Sequence, residues 1–126
     1  MFCHMALNKG LTKEANMIAV LVRFSYEREE FNEERLRQVA EAARGKFEGM
    51  PELRSKTFTI DPLKREALNF YNWESEAAAK AFFSENLIAR VTELYGVQPT
   101  LQFADVAALV ENRASEDSTR KLVANQ

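Results

Sequence analysis

The sequence predicts a single α+β domain in which a four-stranded antiparallel sheet carries its helices on one face. Three observations predict this fold class. Four short segments are apolar or alternate between apolar and polar residues, as strands do, and two longer segments repeat their apolar residues every three to four positions, as helices do. The chain has 126 residues, a common size for one domain with one core.

The first strand and the first helix follow from local patterns. Residues 17–26 form a short apolar segment rich in β-branched side chains, which predicts strand one. Asn32 can cap the helix that follows, and Glu33 and Glu34 lie where the helix dipole favours anions. The apolar positions of this helix form one stripe: Leu36, Val39, Ala40, Ala43 and Phe47.

The middle of the chain predicts a hairpin. Residues 53–61 are rich in threonine and alternate imperfectly, and residues 66–73 form another apolar segment. Pro62 and its neighbours provide the turn between them. These segments are therefore strands two and three.

The last third of the chain predicts a second helix, a fourth strand and a short final helix. Ser75 can cap the second helix, which continues to Gly96 with a kink expected at residues 84–86. Residues 100–104 have the pattern of strand four. A short helix is expected over residues 106–110.

The order of elements, β-α-β-β-α-β, is the arrangement known as ferredoxin-like. With both helices on one face, the other face stays open, and strand alternation predicts that it carries Ala19, Leu21, Asn69, Tyr71 and Trp73. An apolar face of this size is unfavourable in a monomer. We therefore expect a homodimer in which two sheets pack face to face, with space for a flat ligand between sheet and helices.

Composition excludes several classes of function. The net charge is −2 and no cluster of Lys and Arg is dense enough for a phosphate backbone, so nucleic acid is not an expected partner. Cys3 is the only cysteine and His4 the only histidine, so we expect neither an internal disulfide nor a zinc site. The scattered glycines form no phosphate loop, and no apolar segment is long enough to span a membrane. We expect a cytoplasmic protein.

The two ends of the chain differ from the middle. Residues 1–16 lack periodicity and lack the apolar centre of a signal peptide, and we interpret them as a flexible leader. Residues 17–112 form the predicted domain, and residues 113–126 form a polar tail.

Three segments carry a resemblance to a known family. They are residues 22–26 (VRFSY) in strand one, residues 70–77 (FYNWESEA) at the junction of strand three and helix two, and residues 103–106 (FADV) at the end of strand four. On these segments the chain resembles the dimeric α/β-barrel superfamily, and within it the small monooxygenases of the YdhR type. The resemblance covers about residues 17–112.

The resemblance implies a cofactor-independent monooxygenase that acts on an aromatic or polycyclic small molecule. Members that oxidise quinone precursors use an Asn and a Trp four residues apart on strand three, and Asn69 and Trp73 have this spacing. The resemblance therefore implies Asn69, Tyr71 and Trp73 as catalytic residues, which strand alternation places on one face. The expected substrate contacts are Arg23, Leu21 and Phe83.

The chemistry of such an enzyme makes few demands on the protein. An electron-rich substrate reacts with oxygen itself, so the site must bind it, donate a hydrogen bond from a group such as Asn69, and favour the ionised form with a cation such as Arg23. No cofactor is expected. Haem-degrading members of the superfamily have a His where this chain has Phe83, so haem breakdown is disfavoured, as is a mononuclear iron site.

Each candidate residue also has a structural explanation. Trp73 and Tyr71 can serve packing alone, and the amide of Asn69 can be satisfied by a partner within the protein. Arg23 can pair with a carboxylate such as Glu66. A non-catalytic homodimer that binds a hydrophobic metabolite is therefore the alternative to the enzyme.

Overall fold

Residues 16–112 are described by the computed structural model, and they form a four-stranded antiparallel sheet with three helices. The elements are β1 Ile18–Ser25, α1 Glu33–Phe47, β2 Leu53–Asp61, β3 Glu66–Trp73, α2 Glu76–Phe82, α3 Glu85–Tyr95 and β4 Thr100–Asp105. The strand order is β2-β3-β1-β4. This is the predicted ferredoxin-like α+β fold. The expected tail, Cys3, His4 and the rest of the expected leader before residue 16 lie outside the described residues.

Side-chain caps set where the helices begin and end. Asn32, Ser75 and Ser84 each accept a hydrogen bond from the backbone N–H three residues later, at 3.0, 3.1 and 3.2 Å. The cap at Ser84 divides the predicted second helix into α2 and α3, at the position of the predicted kink. Gly96 ends α3 with a φ of 84° and donates its N–H to the carbonyl of Thr92 at 2.8 Å.

The core lies between the helices and one face of the sheet. Every second residue of β1 is buried from Ile18 to Phe24, and every second residue of β3 is buried from Ala67 to Trp73. Leu36 of α1 and Ala79 of α2 belong to the same buried cluster. The helices therefore cover this face, as predicted.

The predicted face of three β3 residues was wrong. Val20 lies opposite Tyr71 and Ile18 lies opposite Trp73, so even-numbered residues of β1 share a face with odd-numbered residues of β3. Asn69, Tyr71 and Trp73 therefore face the helices. The open face carries Ala19, Leu21, Leu68, Phe70 and Ala104 instead. Alternation fixes the faces within one strand, but only the pairing register relates one strand to the next.

The chain after β4 does not form the expected helix over residues 106–110. The N–H of Val106 donates to the carbonyl of Met17 at 3.2 Å, and Glu111 pairs with Arg54 of β2 at 2.6 Å. β4 and β2 are the two edges of the sheet, three strand spacings or about 14 Å apart. A five-residue helix advances only about 7 Å, so the segment must stay more extended to reach Arg54.

β2 contains one extra residue relative to its partner. Leu53 lies opposite Trp73, and Ser55, two residues later, lies opposite Asn72, which directly precedes Trp73. The extra residue is Arg54, which forms a β-bulge and also lies 3.6 Å from Glu74.

No helix within residues 16–112 has the length and apolar character needed to cross a membrane.

Candidate functional site

A cavity of about 790 Å³ lies between α1 and the strands β2 and β3. Its apolar lining includes Leu36, Ala40, Phe47, Phe58 and Ile60. Four exposed charged residues of α1 and the turn after it also line it: Arg37, Glu41, Arg44 and Glu48. The polar groups that reach it from the sheet and from α3 include Lys56, Asn69 and Tyr95. A concave site that combines apolar side chains with polar groups can hold a small molecule.

Asn69 is a buried amide with a partner on α3. Its side chain is 3% exposed, and its Nδ2 donates a hydrogen bond to the hydroxyl of Tyr95 at 3.1 Å. Tyr95 is held in turn by the ring of Phe24, stacked at 3.8 Å between centroids, and by the hydroxyl of Tyr26, which donates to the Tyr95 carbonyl at 2.7 Å. The pair is therefore rigidly positioned at the cavity.

Burial raises the pKa of the Tyr95 hydroxyl, and the hydrogen bond from Asn69 lowers it by a smaller amount. Tyr95 is therefore protonated at neutral pH. Because its oxygen accepts from Asn69, its own proton is available to a ligand in the cavity.

Tyr71 and Trp73 lie in an aromatic cluster with two rings from the end of α2. The ring of Trp73 is 5.0 Å from that of Phe82, and the ring of Tyr71 is 5.0 Å from that of Phe83, measured between centroids. Trp73 is 2% exposed, and its buried Nε1 has no hydrogen-bond partner within residues 16–112. Burial also raises the pKa of Tyr71. The predicted pair Asn69 and Trp73 thus share a face, but Asn69 borders the cavity and Trp73 is packed under Phe82.

Lys56 of β2 extends its amine over three aromatic rings. Its Nζ is 3.4 Å from the ring centroid of Phe47, 4.1 Å from that of Phe58 and 4.4 Å from that of Tyr71. No acidic side chain in the described part of the chain pairs with it. Burial lowers the pKa of the amine from its ordinary value of 10.5 to about 7.

Sequence reasoning missed Lys56 and Tyr95 as site residues. Every second residue of β2 points to the same face, and Lys56 is two residues before Phe58 and four before Ile60. The strand pattern could therefore have placed Lys56 on the apolar face with them. Tyr95 was interpreted only as part of a helix, because nothing local indicates which β3 residue its hydroxyl meets.

The other predicted substrate contacts are divided between the two faces. Phe83 lies with Tyr71 and Trp73, as its ring contacts show. Leu21 and Arg23 point to the opposite face of the sheet from Asn69, because Val22 is the residue paired with Asn69. The Nε of Arg23 lies 3.6 Å from a carboxylate oxygen of Glu66, so Arg23 forms the expected structural ion pair. Arg23 and Leu21 therefore do not line this cavity.

Within residues 16–112, no three His, Cys, Asp or Glu side chains are grouped so that they could hold a metal ion.

Comparisons with known proteins bear on the fold. No protein-family model matches the sequence, and no curated protein matches it.

Solved structures do match. The monooxygenase ActVA-Orf6 of Streptomyces coelicolor, in complex with nanaomycin D, is 17% identical, with a TM-score of 0.56 over 78% of this chain and 93% of that one. SnoaB of Streptomyces nogalater, a cofactor-independent oxygenase, is 15% identical, with a TM-score of 0.52 over 78% of this chain and 98% of that one. Rv0793 of Mycobacterium tuberculosis is 17% identical, with a TM-score of 0.53 over 76% and 98%. The chain therefore shares its fold with these proteins, as the resemblance predicted.

Proposed function

We propose that this protein is a cofactor-independent monooxygenase that oxidises an aromatic or polycyclic small molecule in the cavity between α1 and the sheet. The observation that carries the proposal is the buried amide of Asn69, held by Tyr95 at the border of a cavity that is lined by both apolar and polar side chains. The fold shared with two oxygenases supports the same reaction class.

The reaction needs no reductant, because the substrate supplies the electrons. A ring CH₂ next to a hydroxylated or keto ring becomes a carbonyl, one oxygen atom of O₂ enters the substrate, and the other leaves as water with the two hydrogens. The protein must hold the substrate, stabilise its ionised oxygen and exclude bulk water.

The residues divide this task by position. The nitrogen of Asn69 donates to Tyr95, which leaves its amide oxygen to accept from a substrate hydroxyl. The hydroxyl of Tyr95 donates to the substrate oxygen that becomes charged. Tyr71, Trp73 and Phe83 form the aromatic cluster next to these two residues on the same face of the sheet.

We also propose a cytoplasmic homodimer. The open face of the sheet has an apolar centre in which Phe70 is 45% exposed and lies opposite Leu21. A second copy packed on this face would cover these side chains. Because the cavity lies on the other face, the partner would not form its wall.

Oxygen uptake with a panel of anthrones and quinols tests the function. Asn69→Ala should lower kcat/KM about a hundredfold, the effect of removing one preorganised polar group, and Trp73→Phe should lower it less. Asn72→Ala is the matched control, because Asn72 lies three residues away on the opposite face and its Nδ2 contacts Ser55 Oγ at 3.0 Å. Equal activity of the Asn69 and Asn72 variants would contradict the proposed site.

Binding separates the enzyme from the alternative. Trp73 is the only tryptophan, so its fluorescence reports a ligand near the cluster. A protein that binds the panel but consumes no oxygen with any member would be the non-catalytic binding protein.

A further inference from the structure

We propose that Lys56 is the general base of this cavity and that its ligands are weak acids: phenols, enols or cyclic 1,3-dicarbonyl compounds. The inference rests on the proposed function for its place in a reaction, but the acid–base event is separate from oxygen chemistry. Neither the sequence pattern nor the fold comparison assigns a role to this residue.

Lys56 and Asn69 lie close together on the helix-covered face of the sheet. Lys56 lies directly opposite Tyr71 in the β2–β3 pairing, and Asn69 is two residues from Tyr71 on the same face. Diagonal neighbours of this kind have their Cβ atoms roughly 7–8 Å apart, within reach of long side chains. Both side chains line the cavity. One aromatic ring with oxygen substituents can therefore contact the amine of Lys56 and the amide of Asn69 together.

The amine of Lys56 is surrounded by aromatic rings. Three rings lie within 4.4 Å of its Nζ, and no carboxylate within residues 16–112 forms an ion pair with it. Burial removes part of the water around the amine, which is why its pKa falls to about 7. A large fraction of the protein then carries a free amine at neutral pH, as a general base requires. The faces of the rings support the ammonium once the proton arrives.

The other charged groups of the cavity already have partners or stand at its exposed border. The guanidinium of Arg37 lies 2.8 Å from a carboxylate oxygen of Glu33, and that of Arg44 lies 3.6 Å from a carboxylate oxygen of Glu41. Arg54 pairs with Glu74 and Glu111. The remaining titratable groups on the cavity are the exposed Glu48, after α1, and Tyr95, which stays protonated. Lys56 is the partly buried amine among them.

The proposed step is a proton transfer from the ligand to Lys56. The O–H or acidic C–H bond of the ligand breaks, its electron pair stays on the ligand, and the proton forms a new N–H bond on Lys56. No electron leaves the ligand in this step. In the oxygenation, the stored proton can leave with the water that is formed.

The test uses 2-naphthol, a bicyclic phenol whose anion has its own absorption band, and the full chain at about pH 8, where free naphthol is neutral. Wild-type protein should bind naphthol as naphtholate with no net release of protons to the buffer, because the attraction between the ammonium and the naphtholate in the cavity offsets the lower pKa of the amine and keeps the proton on Lys56. Lys56→Met should bind it as neutral naphthol, with at least a tenfold smaller naphtholate band.

Two further variants control the measurement. Lys56→Arg keeps a cation but cannot accept a proton, so naphtholate should form with release of one proton to the buffer. Lys64→Met removes an exposed amine in the β2–β3 turn and should behave like wild type. Circular dichroism confirms that each variant is folded.

The outcomes separate this inference from the oxygenase. Naphtholate formation that depends on Lys56, without oxygen uptake on any anthrone or quinol, supports the base and overturns the oxygenase. Oxygen uptake together with neutral bound naphthol, or with a Lys56→Met variant that ionises naphthol as well as wild type does, overturns the base. The absence of a naphtholate band at every naphthol concentration also overturns it.

Discussion

Two polar side chains on the apolar side of the sheet are accommodated in different ways. Asn69 keeps its polarity because Tyr95 accepts its N–H at 3.1 Å. Lys56 has no such partner among residues 16–112, and its burial lowers the pKa of the amine. The amide is therefore a fixed contact, whereas the amine can change its charge near neutral pH.

The lowered pKa of Lys56 predicts that stability depends on pH. The unfolded amine ionises at its ordinary value of 10.5 and the folded amine at about 7, so between these values the unfolded state binds the extra proton. The free energy of unfolding should therefore rise from about pH 7 to pH 9, with a slope of at most about 1.4 kcal/mol per pH unit. Below pH 7 this contribution to the slope disappears.

Urea unfolding of wild type and Lys56→Met across this range measures the effect. The variant should lose most of the slope, and Lys64→Met should keep it. A slope that survives in Lys56→Met would show that other groups cause it.

At the scale of the elements, caps made most boundaries predictable. Asn32, Ser75 and Gly96 mark their helices in the sequence, and the structure has the helix ends there. The hairpin strands agree with the predicted residues 53–61 and 66–73. These features depend on neighbouring residues, which a single sequence displays directly.

Features that depend on distant residues were not predictable in the same way. The relative phase of β1 and β3 is set by pairing across the sheet, so Asn69, Tyr71 and Trp73 were assigned to the wrong face. The environment of Lys56 depends on Phe47, which arrives from α1. The helix expected over residues 106–110 does not form, because this segment stays extended and brings Glu111 to Arg54.

Two glycines provide a test of the element boundaries, with opposite expected signs. A Cβ added at Gly45 or at Gly96 meets nothing within 4 Å, so only the backbone differs. Gly45 lies inside α1, where alanine should stabilise the protein by about 0.5–1 kcal/mol. Gly96 has a φ of 84°, and alanine there should destabilise it by about 1 kcal/mol. Thermal unfolding measures both, and shifts of the same sign would contradict the assignment.

At the scale of the whole molecule, the two faces of the sheet have separate roles. The helix-covered face borders the cavity, and the open face presents Leu21, Leu68 and Phe70. Assembly and ligand binding are therefore expected to be independent, in contrast to the expectation from sequence that a dimer would enclose the site.

The proposed dimer predicts the effect of one charge. Phe70→Glu places a carboxylate at the centre of the open face and should convert a dimer to a monomer at micromolar concentration, measured by sedimentation. Leu63→Glu is the control, because Leu63 is 92% exposed in the β2–β3 turn. The monomeric variant should still bind naphthol with the affinity of wild type. A wild-type protein that sediments as a monomer would refute the proposed dimer.

The bulge at Arg54 has a consequence for insertions and deletions in β2. It allows Leu53 and Lys56, three positions apart, to face the helices together. Deleting Arg54 would leave a regular strand with the same side chains inside, at the loss of its pairs with Glu74 and Glu111. Deleting Thr57 would instead shift the register of one half of the strand by one residue, so that its side chains would point to the other face. Either Lys56 or Phe58 would then be exposed. A deletion that keeps the cavity-lining side chains in place at one position would therefore disrupt the cavity when made three residues away.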